Sequence, residues 1–474
     1  MTFKQMRYNE EQVQAIHHSN GPALIVAGPG SGKTAVIVSR ICALIEQAQI
    51  PAGKILAVTF SRKAADNMKR RFLNIMPGSD IPFFGTFHSI FFMILKQAYG
   101  LSSANIVSED QKENILLNTA DHDQIEYEDP FDFASALINE ISKVKSGGSK
   151  PESFISSVVT PAEFRKLYEA YTLALTKQKL IDFDDMLSLC LKLLTEREDI
   201  RNYWQKRFRY ILVDEFQDIN LLQYQIIRIL AAPQNNLFAV GDDDQSIYAF
   251  RGASPKIMRR FLNDYPDAVL IKLIKSYRCP APVLNCSHQI IIQNKGRIQK
   301  KMESLHGSSF GIVQIRKCKN QLAEYESIAK DIRKLLREGT NPREVAILLR
   351  RSLEFPVIQK VLANYGITTE TMQQYDKGAS REASLTKHSS CVQLMTIHAA
   401  KGLEFRHVYL PDVSEGILPA KKSYTKDALE EERRILYVAM TRAAESLKIY
   451  FPEKIRNKKT APSRFLDCFF KKAL

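Results

Sequence analysis

The sequence predicts an α/β protein with two sets of buried parallel strands, and three features lead there. Short runs rich in Val, Ile and Leu recur, longer segments of helical period separate them, and a glycine-rich turn joins the first such run to the first helical segment. At 474 residues, 45% of them hydrophobic, the chain can bury more than one core. Length alone suggests about three domains.

The first set of strands contains Ala23 to Ala27, Ile55 to Thr59, Tyr210 to Val213 and Leu237 to Val240. The second contains Val269 to Leu273, Val345 to Leu349, Val392 to Met395, Val408 to Leu410 and Leu447 to Phe451. Between the second and third strands of the first set, residues 90–180 carry helical patterns such as Ala162 to Leu175 and few strand signals, so they read as a helical insertion. A basic Gly/Ser stretch within it, Lys143 to Pro151, reads as a solvated connection. The expected division is a first lobe from 1–89 and 181–266, the insertion at 90–180, and a second lobe from 267–371 and 391–474 joined by a turn-rich linker or vestigial insertion at 372–390.

Composition narrows the function. No run approaches the roughly 18 uncharged apolar residues of a membrane span, and the MTFKQMRYNEEQ start lacks the apolar stretch of a signal peptide, so a cytoplasmic protein is expected. The seven cysteines are scattered, with Cys279 and Cys286 the closest pair, which indicates reduced thiols and neither a CxxC metal site nor a disulfide framework. A surplus of 67 Lys+Arg over 52 Asp+Glu, formally +15, favours a polyanionic partner through counterion release. Many basic proteins bind nothing in particular, so charge by itself does not decide the partner.

The strongest signal is Ala27-Gly-Pro-Gly-Ser-Gly-Lys-Thr34, placed after a strand and before a helical pattern from Ala35 to Ile45. Gly28, Gly30, Ser31 and Gly32 let backbone N–H groups curl around phosphate oxygens, Lys33 reaches the β- and γ-phosphates, and Thr34 offers its hydroxyl to Mg2+. The run Tyr210-Ile-Leu-Val-Asp-Glu-Phe-Gln-Asp218 ends a strand in two carboxylates. Alternation along an extended strand end would send Asp214 and Glu215 apart, one toward Mg2+ and the other toward the attacking water. In Leu237-Phe-Ala-Val-Gly-Asp-Asp-Asp-Gln-Ser-Ile-Tyr-Ala-Phe-Arg-Gly-Ala253, Gln245 falls at a strand tip near the expected γ-phosphate. Tyr248, Phe250 and Arg251 face the other way and offer stacking surfaces plus a cation, although aromatics in such a segment serve equally as core packing.

Taken in order, these segments resemble the superfamily 1 helicases UvrD, Rep and PcrA over almost the whole chain. Tyr8-Asn-Glu-Glu-Gln12 resembles their adenine-reading motif, Thr59-Phe-Ser-Arg-Lys-Ala-Ala65 their strand-gripping motif, and Gly85-Thr-Phe-His-Ser89 and Asp182-Phe-Asp-Asp-Met-Leu187 follow in place. Ser276-Tyr-Arg-Cys-Pro280, Met395-Thr-Ile-His-Ala-Ala-Lys-Gly-Leu-Glu-Phe405 and the Glu430 to Ala443 segment are similar to the remaining motifs.

The resemblance implies two RecA-like lobes, ATP and Mg2+, and 3′ to 5′ movement along single-stranded DNA, on a 3′-tailed or forked duplex. It implies that Gln12 contacts adenine, Tyr277 stacks on it and Glu404 binds the ribose. Arg278 and Arg442 are implied to reach the γ-phosphate as arginine fingers across the gap between the lobes, from Lys33, Asp214, Glu215 and Gln245. Phe60, Arg62, Thr86, His88, Tyr248, Phe250, Arg251, Thr396 and His398 are implied to meet the DNA. The Asp182, Asp184 and Asp185 cluster is carried in the family as structure rather than as a nuclease site. No residue separates a DNA track from an RNA one.

Three positions depart from the family pattern: Ala35 where an arginine flanks the base, Phe250 where a tryptophan stacks, and Ala420 where a histidine touches the strand. The larger departure is length. Only about 110 residues separate the SYRCP-like and THAAKGLEF-like segments, so the second helical insertion of fuller relatives is absent or vestigial. A compact helicase of this kind is similar to the UvrD-like subunit of the Gabija antiphage system, which works beside a nuclease. Two functions are therefore expected: a translocase or helicase, or a nucleotide- and DNA-sensing subunit of a nuclease complex that unwinds weakly alone.

Overall fold

The computed structural model describes residues 7–146, 150–307, 310–372, 390–421, 423 and 425–470. Residues 373–389, most of the expected 372–390 linker, and residues 147–149 of the basic loop lie outside the described residues. The chain divides into two compact units. Unit 1 comprises Met1–Val26, Lys33–Gly241 and Tyr248–Ile271; unit 2 comprises Ala27–Gly32, Asp242–Ile247 and Lys272–Leu474.

The first sheet is built from β1 (Ala23–Ala27), β2 (Ile55–Thr59), β3 (Phe83–Thr86), β4 (Tyr210–Val213), β5 (Leu237–Gly241) and β6 (Val269–Leu273), in the order β3-β2-β4-β5-β1-β6. Strands β1 to β5 pair in parallel, and every residue of β1, β2, β4 and β5 is buried, which is why each reads as an unbroken apolar run. Two strand expectations are corrected here. Val269–Leu273, assigned from sequence to the second set, lies beside β1 at the edge of the first sheet. Position along the chain does not say which edge a strand joins. Phe83–Thr86 escaped notice because four residues with a glycine carry little strand signal.

Between β3 and β4 run helices Phe87–Tyr99, Glu109–His122, Pro130–Lys145, Pro161–Lys177, Phe183–Glu196 and Glu198–Arg207. Their starts are encoded locally. Thr86 and Asp182 each accept from the backbone N–H three residues on, and Ser89 and Asp185 reach back to complete capping boxes. Leu116, Leu137, Phe164, Leu167 and Tyr171 form a core of their own among these helices.

The Asp182 cluster ties this region together. Lys145 Nζ lies 2.7 Å from Asp182 and 2.8 Å from Asp185, Tyr171 donates its hydroxyl to Asp182 at 3.0 Å, and Ser146 donates to Asp184 at 3.1 Å. The carboxylates are thus engaged in joining the Pro130–Lys145 and Phe183–Glu196 helices.

The second sheet contains β7 (Ile312–Cys318), β8 (Val345–Leu349), β9 (Thr369–Met372), β10 (Val392–Thr396), β11 (Phe405–Leu410) and β12 (Ala443–Pro452), in the order β9-β10-β8-β11-β12-β7 with every pairing parallel. Strands β7 and β9 are additions to the sequence reading. Both are edge strands, and polar residues such as Gln314, Arg316 and Lys317 interrupt the apolar run that marks a central one. Ile328, Ile332, Ile347, Leu349, Ile358 and Leu394 form the core on one face of this sheet.

Lys145 and Asp182 keep only 5% of their side-chain surface exposed, and removing one partner of a buried pair leaves an uncompensated charge. Lys145→Met is expected to lower unfolding free energy by about 3–5 kcal/mol in urea titrations.

Candidate active site

The turn after β1 needs glycine at two points for backbone reasons. Gly30 and Gly32 have φ of +71° and +83°, in the left-handed region. A Cβ on Gly30 would also stand 2.5 Å from the Arg278 Cβ and 2.7 Å from Ser276 Oγ. The turn is braced by Ser31 Oγ donating to the Gly28 carbonyl at 2.8 Å, Ser276 Oγ donating to the Pro29 carbonyl at 2.9 Å and Tyr277 N–H donating to the Gly30 carbonyl at 2.9 Å. Lys33 and Thr34 open the Lys33–Glu46 helix, whose amino terminus is a ready site for phosphate. Gln12 is buried in the Glu10–Ile16 helix, where its side-chain oxygen accepts the Asn9 N–H at 3.1 Å and closes a capping box.

At the end of β4 the backbone after Asp214 departs from the extended course expected of it. Glu215 is not extended; its φ of +50° places it in the left-handed region, and the chain continues into a tight turn over Phe216–Asp218. Such a conformation in a non-glycine residue costs about 1–3 kcal/mol and persists where the surroundings impose it. Here Gln217 donates to Glu215 at 2.5 Å, and a Cβ on Gly241 at the end of β5 would meet Gln217 Oε1 at 2.5 Å.

Asp214 is 5% exposed and its Oδ1 has no hydrogen-bond partner. Burial first, then the Glu215 charge, pushes its carboxyl up to about 7 against the pull of Lys33. A buried oxygen donor with an unmet lone pair suits a hard divalent cation such as Mg2+.

The segment Asp242–Ile247 belongs to unit 2, and cationic side chains hold it there. Lys300 Nζ lies 2.9, 2.7 and 2.6 Å from Asp242, Asp243 and Asp244, and Arg297 donates twice to Asp244 at 2.9 and 2.5 Å. Lys401 donates to the Gln245 carbonyl at 2.7 Å and Arg434 to the Ser246 carbonyl at 2.8 Å. Gln245 gives its amide to Asp242 at 2.5 Å and accepts from Arg442 Nη2 at 3.1 Å. Arg442, 2% exposed, also donates to the carbonyls of Val438 and Leu403 at 2.9 and 3.2 Å.

Among the described residues, Asp242, Asp243 and Asp244 are the carboxylate group close enough to hold a metal, yet Lys300 already fills the space between them.

Two further expected residues meet each other: Arg278 Nε donates to Glu404 at 2.5 Å, while Tyr277 leaves 46% of its surface exposed. Thr396 and His398 are half-buried at the end of β10, where the Thr396 hydroxyl accepts the Ala399 N–H at 3.3 Å. In unit 1, Phe60 stacks on Tyr248 with centroids 5.4 Å apart and rings 13° from parallel, and Tyr248 meets the exposed Phe250 edge-on at 5.7 Å. Arg62 is exposed beside them in sequence; the side chain of Arg251 lies outside the described residues. Thr86 serves as a helix cap, and His88 packs edge-on against Phe183 at 5.0 Å.

Residues 8–266 match the sequence model of the UvrD/REP helicase N-terminal domain, and residues 271–376 with 377–454 match that of the UvrD-like helicase C-terminal domain. The chain belongs to the UvrD/Rep helicase family.

This family member is similar to the putative ATP-dependent DNA helicase YjcD of Bacillus subtilis (28% identical, over 99% of this chain and 82% of the relative). It is also similar to the probable DNA helicase II homolog of Mycoplasma capricolum (34%, over 75% and 50%) and to ATP-dependent DNA helicase Rep of Buchnera aphidicola (27%, over 97% and 96%). The alignments to the first and last of these run over 632 and 638 positions, far more than 474, so both relatives carry segments with no counterpart here. No helix among the described residues is long and apolar enough to cross a membrane.

The sequence reading of this UvrD/Rep member missed Lys300, Arg297, Lys401 and Arg434. Lys300 and Arg297 stand in a basic stretch, while Lys401 and Arg434 fall inside family-like motifs but were given no role, and only the fold shows what they hold.

Because folding raises the Asp214 pKa, the folded protein retains a proton that the unfolded chain loses between about pH 4 and pH 7, and stability falls as pH rises through that window. Asp214→Asn removes this penalty. Urea unfolding of the magnesium-free variant at pH 8 is expected to show a gain of about 1–3 kcal/mol over the unsubstituted protein, and none at pH 4.

Proposed function

We propose that this chain is an ATP-driven motor that moves 3′ to 5′ along single-stranded DNA, hydrolysing ATP at the turn formed by Gly28, Gly30, Ser31, Gly32, Lys33 and Thr34. The coarser statement, an ATP-dependent DNA helicase of the UvrD/Rep family, follows from membership. The observation that carries the proposed site of hydrolysis is the bond from Tyr277 N–H to the Gly30 carbonyl, because it holds Arg278 beside Gly30.

In this reading Gln12 and Tyr277 hold the adenine and Glu404 the ribose. Lys33 and the turn's N–H groups bind the phosphates, Glu215 orients and deprotonates the attacking water, and Arg278 and Arg442 stabilise charge developing on the γ-phosphate. Gln245, held by Arg442, reads the nucleotide state. Thr34 and Asp214 would hold Mg2+, which when bound neutralises phosphate charge. Phe60, Tyr248 and Phe250 offer a ladder of aromatic rings on which bases stack whatever their identity, with Arg62 and Arg251 close to them in the sequence. Thr86, His88, Thr396 and His398 complete the proposed strand contacts. Polarity and the DNA track follow the family resemblance.

A second reading, a nucleotide- and DNA-sensing subunit of a nuclease complex of the antiphage type, is favoured by one observation: the relatives carry residues that this chain lacks. Displacement of a 3′-tailed duplex by the chain alone, against displacement only with a co-purified nuclease, separates the two.

The primary test is ATPase activity across a salt series with and without oligo(dT). Stimulation by DNA is expected, with Lys33→Ala and Glu215→Gln each lowering turnover by about 10²-fold or more. Phe250→Ala is expected to raise the DNA concentration for half-stimulation by about 10-fold, from a stacking contribution of about 1–3 kcal/mol. Absence of DNA stimulation at every salt concentration would overturn the proposal.

A further inference from the structure

Among the described residues, Lys300 is the most deeply buried ammonium group in an ion pair that the proposed chemistry leaves unused. Its side chain is 1% exposed and sits among three carboxylates that are 0 to 3% exposed. Burial on its own would lower the Lys300 pKa, but the three aspartates more than reverse this and keep it charged. Each aspartate has a separate second duty. Asp243 accepts the Ile298 N–H at 2.6 Å, Asp244 takes Arg297, and Asp242 takes the Gln245 amide.

The Asp242 duty reaches the chemistry. Lys300 meets Asp242 Oδ1 at 2.9 Å, Gln245 Nε2 donates to Asp242 Oδ2 at 2.5 Å, and Arg442 Nη2 donates to Gln245 Oε1 at 3.1 Å. A carboxamide has distinct ends. With its nitrogen committed to Asp242, its oxygen is forced toward Arg442, and the relay fixes which end faces the arginine. That order persists only while Asp242 is ionised and stationary, and at 0% exposure a fixed cation must supply both conditions.

We propose that Lys300 is a positioning residue for hydrolysis: through Asp242 it orients Gln245, and through Gln245 it sets Arg442. The inference rests on the roles assigned above to Gln245 and Arg442. It assigns Lys300 no contact with nucleotide or DNA, so its loss should slow turnover without weakening binding. A role limited to balancing buried charge makes a different prediction, because removing one aspartate charge would then repair the defect.

The experiment compares the unsubstituted chain, Lys300→Met, Lys300→Arg and the double variant Lys300→Met with Asp243→Asn. It measures thermal midpoint, KM for ATP, half-saturating oligo(dT) and DNA-stimulated kcat. Lys300→Met is expected to lose about 10-fold or more in kcat with KM and half-saturating DNA within about 3-fold, the size of loss that misplacement of a catalytic group produces. Lys300→Arg, which keeps the charge, is expected to retain most of kcat. The double variant is expected to regain thermal stability but not kcat, and it carries the test if Lys300→Met does not fold.

Three outcomes overturn the inference: full kcat in Lys300→Met, kcat recovering together with stability in the double variant, or a rise in KM at unchanged kcat. Normal DNA stimulation in the unsubstituted chain beside any of these sinks the inference alone. An unstimulated unsubstituted chain sinks the functional reading with it.

Discussion

Buried carboxylates at the ends of parallel strands are the constraint on which the rest of this structure depends. Ionised oxygen in a protein interior has to be met by a cation or a proton. Asp242, Asp243 and Asp244 are met by Lys300 and Arg297, at distances that leave no vacancy. Asp214 has no such cation on its Oδ1, which lacks a hydrogen-bond partner, and burial instead favours its protonated form. The contrast separates two acidic groups that look alike in the chain. The triple aspartate is the denser cluster and the more tempting metal site, but geometry makes it a scaffold and leaves Asp214 as the oxygen suited to an incoming cation.

The same rule operates in the helical region. Asp182, Asp184 and Asp185 invite comparison with a nuclease centre until Lys145, Tyr171 and Ser146 are seen to engage them. Asp182 also caps its own helix, and Thr86 and Gln12 likewise take part in capping boxes. Several motif residues therefore shape the local backbone whatever else they touch. A recurring residue in such a motif can be retained for a helix start as readily as for a ligand.

Much of the candidate site was legible because its chemistry is local. The glycine-rich turn after β1 needs glycine where φ is positive, directly before a helix, and that requirement is written in consecutive residues. The aromatic triplet was half legible. Tyr248 and Phe250 stood out, and Phe60 was placed through the strand-gripping motif, but the parallel stack of Phe60 on Tyr248 joins residues far apart in the chain. The left-handed turn at Glu215 was not legible, because glutamate gives no sign of positive φ and the strand before it suggested continued extension.

The sequence by itself determined the α/β class, the central strands and the glycine-rich turn before the first long helix, since each follows from interactions between near neighbours or from periodic burial. Tertiary structure decided the rest. It assigned Val269–Leu273 to the first sheet, added the polar edge strands, paired Arg278 with Glu404 and Gln245 with Arg442, and turned Lys300 inward. The physical reason is common to all of these: which edge a strand completes, and whether a lysine meets water or three aspartates, depends on partners that only folding brings together.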